Sequence, residues 1–190
     1  GAVLASNISD ANARGAIIID NTPWVTIDSL DVDAIAGTYG YGVHFLGNSS
    51  FSSILNSTID VGQNATSTNK IPVVISGSRT SYSIGFAGSN ITVDNCELIG
   101  GYFSLTSYGT SAAAPVVGNT FTNNIHSDFY LYGIYTVSND SMSILNNDLS
   151  RATRSTVSTL YGIYMSAPTN TLVNANAIHN TGGTSSSPSY

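Results

Sequence analysis

Few side chains here can do chemistry, and their spacing narrows what that chemistry could be. Asp31, Asp33 and Asp60 form the densest carboxylate group. Asp31 and Asp60 each directly follow a residue expected to point inward, Leu30 and Ile59. If the chain coils back on itself once between them, the two acids stand one turn apart and with Asp33 could share a hard cation such as Ca²⁺. No other cofactor is expected. Tyr135 and Tyr164 occupy equivalent places in two related segments, with His44 at the matching place in an earlier one. Rings held about 4.8 Å apart on adjacent strands would form an ordered surface for sugar rings or an apolar protein patch. His126 and His179 are isolated in the repeat and are expected at the surface or in turns. The basic residues Arg14, Lys70, Arg79, Arg151 and Arg154 fall mainly in predicted loops. None is placed beside two carboxylates, so no acid and base group of the kind that cleaves a glycan converges. Zinc, nucleotide and serine-hydrolase spacings are missing as well.

The elements that must position these residues recur with a regular period. Tyr132-Gly133-Ile134-Tyr135 returns as Tyr161-Gly162-Ile163-Tyr164, and each is followed by a second apolar run carrying an asparagine, Ile144-Leu145-Asn146 and Leu172-Val173-Asn174. Earlier copies start at Tyr41-Gly42-Val43 and Ile71-Pro72-Val73. Indexed on Ile17, Val43, Val73, Phe103, Ile134 and Ile163, the steps are 26, 30, 30, 31 and 29 residues. Such a period means a solenoid, and short runs rich in Val, Ile, Tyr and Thr between Gly, Ser and Asn make it a β-solenoid. The expected fold is all-β, a right-handed parallel β-helix of about six coils, spanning residues 15–180. Residues 1–14 would be an initial coil or cap remnant and residues 181–190 a Ser/Gly-rich tail or linker.

Alternation along the strands predicts inward rows of Val43, Val73, Phe103, Ile134 and Ile163 and of Phe45, Ile75, Leu105, Thr136 and Met165. Ile59, Leu98, Phe121, Leu149 and Ile178 are expected to supply another row, and Ser104 to face out. Asp28, Asn56, Asn95, Asn119, Asn146 and Asn174 form a second ruler, with Asn176 the alternative in the sixth coil. Inward amides stacked one coil apart can donate to one neighbour and accept from the other, so these positions are read as a structural ladder.

Composition bounds the partners. Charged residues are 8% of 190, against about 25% in an average protein, so Asn, Ser and Thr must carry solubility. Five Lys plus Arg against eleven Asp plus Glu give a net charge of −6, which repels phosphate backbones. Nucleic acid is not expected as a partner. No apolar run approaches the roughly 18 residues of a membrane span. The lone Cys96 excludes an intrachain disulfide and is read as a small core residue. Asn-x-Ser/Thr sequons at Asn7, Asn48, Asn56, Asn64, Asn90 and Asn139 occur about as often as this composition produces by chance.

The Gly-Val or Gly-Ile strands followed by an apolar-apolar-Asn turn resemble the right-handed parallel β-helix superfamily, the pectate-lyase-like fold, over roughly residues 15 to 180. That resemblance implies polysaccharide lyases and glycosidases, phage tailspikes or the surface stalks of adhesins and autotransporter passengers. The empty outward rows favour the last class. The expected function is a non-enzymatic module, secreted or at the cell surface, presenting a binding face to a glycan or a host or cell-surface protein. The alternative is a carbohydrate-active enzyme. Open strand edges at the two ends of the array would be covered by flanking coils of a longer chain or by end-to-end self-association.

Overall fold

The computed structural model describes residues 2–184, and these form a parallel β-solenoid of about six turns. There is no helix among the described residues. Of the tail, residues 181–184 make a turn and residues 185–190 lie outside the described residues. The first sheet stacks Gly15–Asp20, Gly40–Leu46, Lys70–Ser76, Phe103–Tyr108, Tyr132–Val137 and Tyr161–Ser166. A second sheet carries three-residue strands from Thr26–Asp28 to Leu172–Asn174, and a third runs from Ala2–Ala5 and Leu30–Asp33 to Ala177–His179. Every pairing between neighbouring coils in these sheets is parallel. Ala2–Ala5 joins the third sheet only, so residues before Gly15 make a partial coil.

Strands this short pack because each inward residue sits on its equivalent one coil away. The first sheet supplies the row Ile17, Val43, Val73, Leu105, Ile134, Ile163, and the second supplies Ile27, Ile54, Val93, Phe121, Ile144, Val173. In the third sheet the row is Val32, Ile59, Leu98, His126, Leu149, Ile178. Four expectations are therefore corrected, all in the fourth coil. Leu105 takes the place assigned to Phe103, and Ser107 the place assigned to Leu105. Phe121 belongs to the second sheet, and its expected place in the third is held by His126. Ser104 does not face out; its hydroxyl meets His126 Nδ1 at 2.8 Å, with both residues fully buried. An insertion of two residues ahead of Leu105 shifts the register, and a buried polar pair removes the apolar signal that would have revealed the shift.

The glycine of the Tyr-Gly-Ile-Tyr motif is explained by close approach. A Cβ at Gly133 would stand 2.4 Å from Leu149 Cδ2 and 2.5 Å from the Gly162 carbonyl oxygen, and one at Gly162 would stand 2.4 Å from Ile178 Cδ1. Glycine here points inward immediately before the inward Ile134 or Ile163. The tyrosine ahead of it is thereby released to the outside of the sheet.

Corners are made by residues in the left-handed region, where asparagine is tolerated because its short side chain bonds locally. Between the second and third sheets, Ser29, Asn56, Asn95, Asn123, Asn146 and Ala175 occupy this position with φ between 47° and 56°. The expected inward ladder is corrected accordingly. Asn56, Asn95 and Asn146 are exposed corner residues, and Asp28 and Asn174 are exposed strand ends. Asn56 Nδ2 donates to Asp28 Oδ1 at 2.9 Å and Asn95 Nδ2 to Asn56 Oδ1 at 2.7 Å, so these three do form a ladder, on the surface. Bonds from Asn56 and then Ser29 lower the Asp28 pKa. Asn119 is buried, but at a different corner, where its Oδ1 accepts from Ile91 N at 2.8 Å and its Nδ2 donates to Ser107 Oγ.

The inward amide ladder stands one residue further on, at Asn124, Asn147 and Asn176. Asn124 Nδ2 donates to Asn147 Oδ1 at 3.0 Å, and Asn147 Nδ2 donates to Asn176 Oδ1 and to Phe121 O, both at 2.9 Å. Each Oδ1 also accepts a backbone N–H of the preceding coil. Replacing Asn147 by Leu strands these partners, and urea unfolding should show a loss of about 1–3 kcal/mol. Asn146→Gly, at the exposed corner, should leave the midpoint nearly unchanged; equal losses for the two variants would remove the ladder from the account of stability.

Candidate functional site

The outer face of the first sheet gathers the chain's aromatic rings. Phe103, Tyr132 and Tyr161 are register partners in one column and Tyr135 and Tyr164 in the next, with Thr106, Val74 and His44 continuing it. Tyr135 and Tyr164 stack with centroids 5.4 Å apart and planes 10° from parallel, and Tyr132 and Tyr161 do so at 4.8 Å and 21°. The strand spacing is close to the stacking distance of two rings, so equivalent rings lie on one another. The expected open platform is thus changed in kind. Most ring faces are occupied by neighbouring rings, and of the four stacked tyrosines Tyr161 and Tyr164 are the most exposed.

Around this ladder the sheet face closes into a groove of about 220 Å³ lined by Tyr82, Tyr102, Tyr132, Tyr135, Phe103, Leu131 and Thr68. None of these carries a charge at neutral pH. Burial, reinforced by neighbouring tyrosines, raises the pKa of Tyr82 and Tyr132 and pushes Tyr135 to about 12, so their hydroxyls remain hydrogen-bond donors. Such a lining offers apolar walls with neutral hydroxyls, which suits a polyol and gives no counter-charge to an anion.

His44 is not part of an open face. The segment after Ser76 folds back over the sheet, with Gly77 N donating to Ile84 O and Ser76 Oγ to Ser81 O, and Tyr82 tilts onto Phe103 with centroids 4.9 Å apart. His44 is left fully buried, its Nε2 2.9 Å from Ser76 Oγ and its ring edge-on to Tyr41. Burial, with Arg79 adding, lowers its pKa to about 4. The expectation that His44 presents itself to a ligand is corrected for that reason. Two Ser–His pairs therefore exist, Ser76 with His44 and Ser104 with His126, and both are sealed from solvent. His179, the third histidine, is exposed as expected and pairs with Asp148.

The carboxylates are placed differently from expectation. Val32 is the inward residue next to Ile59, so Asp33 faces Asp60 across the coils while Asp31 faces Thr58. Asp33 Oδ1 accepts from Ile35 N at 3.0 Å and Asp60 Oδ1 from Gly62 N at 2.8 Å, each closing its own turn. Burial raises the Asp60 pKa, with the Asp33 charge adding to it. Asp31, Asp33 and Asp60 do not converge, and among the described residues there is no group of three metal-ligating side chains. Lys70 is turned inward, its Nζ donating to the Ala34, Ile35 and Ala36 carbonyls at 2.7, 2.9 and 3.3 Å.

Sequence reasoning found Tyr135 and Tyr164 and missed Tyr82, Tyr102, Phe103 and Tyr132. Alternation alone puts Phe103 in the core, whereas aligning Ser104-Leu105 with Gly133-Ile134 moves it onto the outer column beside Tyr132. Tyr82 carries no periodic signal, because it arrives on a loop. No family model, curated protein or solved structure matches this chain.

Proposed function

We propose that this solenoid is a non-enzymatic module of a secreted or cell-surface protein, a stalk or adhesin segment of the pectate-lyase-like kind, that holds a neutral glycan along its tyrosine face. The observation that carries the reading is the uncharged groove of tyrosine hydroxyls and ring edges on a rigid stacked sheet. A stack of parallel strands keeps these groups ordered before a ligand arrives, so little conformational entropy is lost on binding. Low charge and abundant Ser, Thr and Asn fit a surface exposed to sugars and water. The same reading includes a further coil, from the same chain or a second copy, over the last described turn, whose core residues Val173 and Ile178 are 40% and 48% exposed.

Calorimetric titration with neutral and anionic hexasaccharides tests the groove. Binding is expected for a neutral glycan and not for hexagalacturonate. The double variant Tyr132→Phe with Tyr135→Phe keeps the rings and removes two hydroxyls, which should weaken binding about 5- to 100-fold at unchanged melting temperature. Unaltered affinity in that variant, or binding confined to the anionic sugar, would sink the proposal, and shortened chains with new reducing ends would turn it toward a hydrolase.

A further inference from the structure

A second aromatic site lies at the corner that follows the first sheet. Backbone bonds from Trp24 N to Ser50 O, Phe51 N to Ser89 O, Asn90 N to Val117 O, Gly118 N to Asp140 O and Ser141 N to Thr169 O align one corner position through all six coils. Every residue in that column is left-handed, with φ of 64° at Trp24, 60° at Phe51, 55° at Asn90, 71° at Gly118, 53° at Ser141 and 47° at Asn170. Four coils place there the small or amide residues that accept this backbone readily. The first two coils place a tryptophan and a phenylalanine, for which it is strained.

Core burial does not offset the strain, because Trp24 is 73% and Phe51 48% exposed. The rings are nevertheless ordered against each other, with centroids 4.4 Å apart and planes 7° from parallel. Phe51 covers one face of the indole and leaves the other to solvent. The turn three residues ahead of the two rings is tied from coil to coil by Asn48 N donating to Asn21 Oδ1 at 3.0 Å, while Asn21 Nδ2 donates to Asp20 Oδ1 and Asn48 Oδ1 accepts from Ser50 Oγ, both at 2.8 Å, so the ring pair stands on a braced corner.

We propose that Trp24, backed by Phe51, is a stacking site for one pyranose ring of a neutral glycan. An electron-rich indole face attracts the C–H face of a sugar, and Phe51 holds that face in a fixed orientation. The size of the feature agrees with this occupant. Two rings offer about 150–250 Å² each, of which part is spent on their own stack, whereas a stable protein interface buries about 800 Å² per partner.

Trp24 is the chain's one tryptophan among eleven tyrosines, so emission excited at the red edge, where tryptophan alone absorbs, reads this site and not the tyrosine groove. Titration of the whole chain with cellohexaose, mannohexaose and hexagalacturonate should give a saturable emission change with a neutral hexasaccharide. The response should persist in the Tyr132→Phe, Tyr135→Phe variant, which separates this site from the tyrosine groove. Trp24→Asn installs the residue other coils use, so it should weaken the calorimetric affinity of this site about tenfold or more while the melting temperature holds or rises. Phe51→Asn should keep the melting temperature too and diminish the emission change. Emission unmoved by all three sugars, a response to hexagalacturonate alone, or a lower melting temperature in either Asn variant would overturn the proposal, the last by showing that the pair is structural.

Discussion

Between pH 7 and 4.5 the protein should lose roughly 5 kcal/mol of stability, because two buried histidines that stay neutral in the fold become free to protonate once it opens. Burial sets His126 at about 3, and burial with Arg79 sets His44 at about 4, against 6.5 for an ordinary imidazole. A folded pKa below the unfolded one means that the unfolded chain binds more protons in between. Stability is therefore complete above about pH 6.5, falls by about 1.4 kcal/mol per pH unit for each histidine as pH drops, and levels off below the folded values. Asp60, raised by burial, works in the opposite direction only as pH falls through its own range. Urea unfolding across this window measures the slope. Converting the buried polar pair to an apolar one with Ser104→Ala and His126→Leu should remove about half of it, since Leu98 and Leu149 already flank the site in the same row. A slope equal to that of the parent protein would show that His126 does not carry the effect.

Replacing Arg154 by Ala should destabilise the fold by about 3–5 kcal/mol, the scale of a buried charge network broken from one side. This guanidinium is fully buried and donates to Gln63 O and Asp128 O at 2.6 Å each, to Ala65 O at 2.8 Å and to Thr156 O. Its face lies over the Tyr130 ring, 4.9 Å from the centroid. Asp128 closes the arrangement by accepting from Thr153 N and Arg154 N at 3.0 and 2.9 Å. One side chain thereby ties together loops from three different coils, on the side of the solenoid between the third sheet and the first. Thermal unfolding of Arg154→Ala and Arg154→Lys distinguishes charge from geometry. Lysine restores the charge without the planar fork, so it should recover only a small part of the loss. Full recovery by lysine, or a loss below about 1 kcal/mol in the alanine variant, would show that the carbonyls find other partners.

The repeat made the solenoid legible because stacking imposes the same alternation on every coil, and Val43, Val73, Ile134 and Ile163 all lie in the row read for them. Legibility failed where a coil broke its own pattern. In the fourth coil, Ser104 bonds His126 Nδ1 and Ser107 bonds nearby amides inside the core, and a buried polar group with a partner is indistinguishable by type from a surface residue. The asparagine ruler missed the inward ladder by one position at Asn146 for a related reason, while Asn176, the alternative in the sixth coil, does belong to it. Consecutive asparagines, Asn123-Asn124 and Asn146-Asn147, do two jobs, the first turning the backbone and the second filling the inside of the turn. Residue type alone does not say which is which.

By itself the sequence determined the parallel β-solenoid and its number of coils, along with the outward direction of Tyr135 and Tyr164, since all of these follow from local periodicity that needs no partner. Only the tertiary structure decided what those outward positions meet. The loop after Ser76 covers His44, adjacent rings turn their faces to one another, Asp33 rather than Asp31 opposes Asp60, and two aromatic rings stack in the open on a strained corner. Each depends on the axial register between coils and on irregular loops, where a shift of one residue exchanges inside for outside.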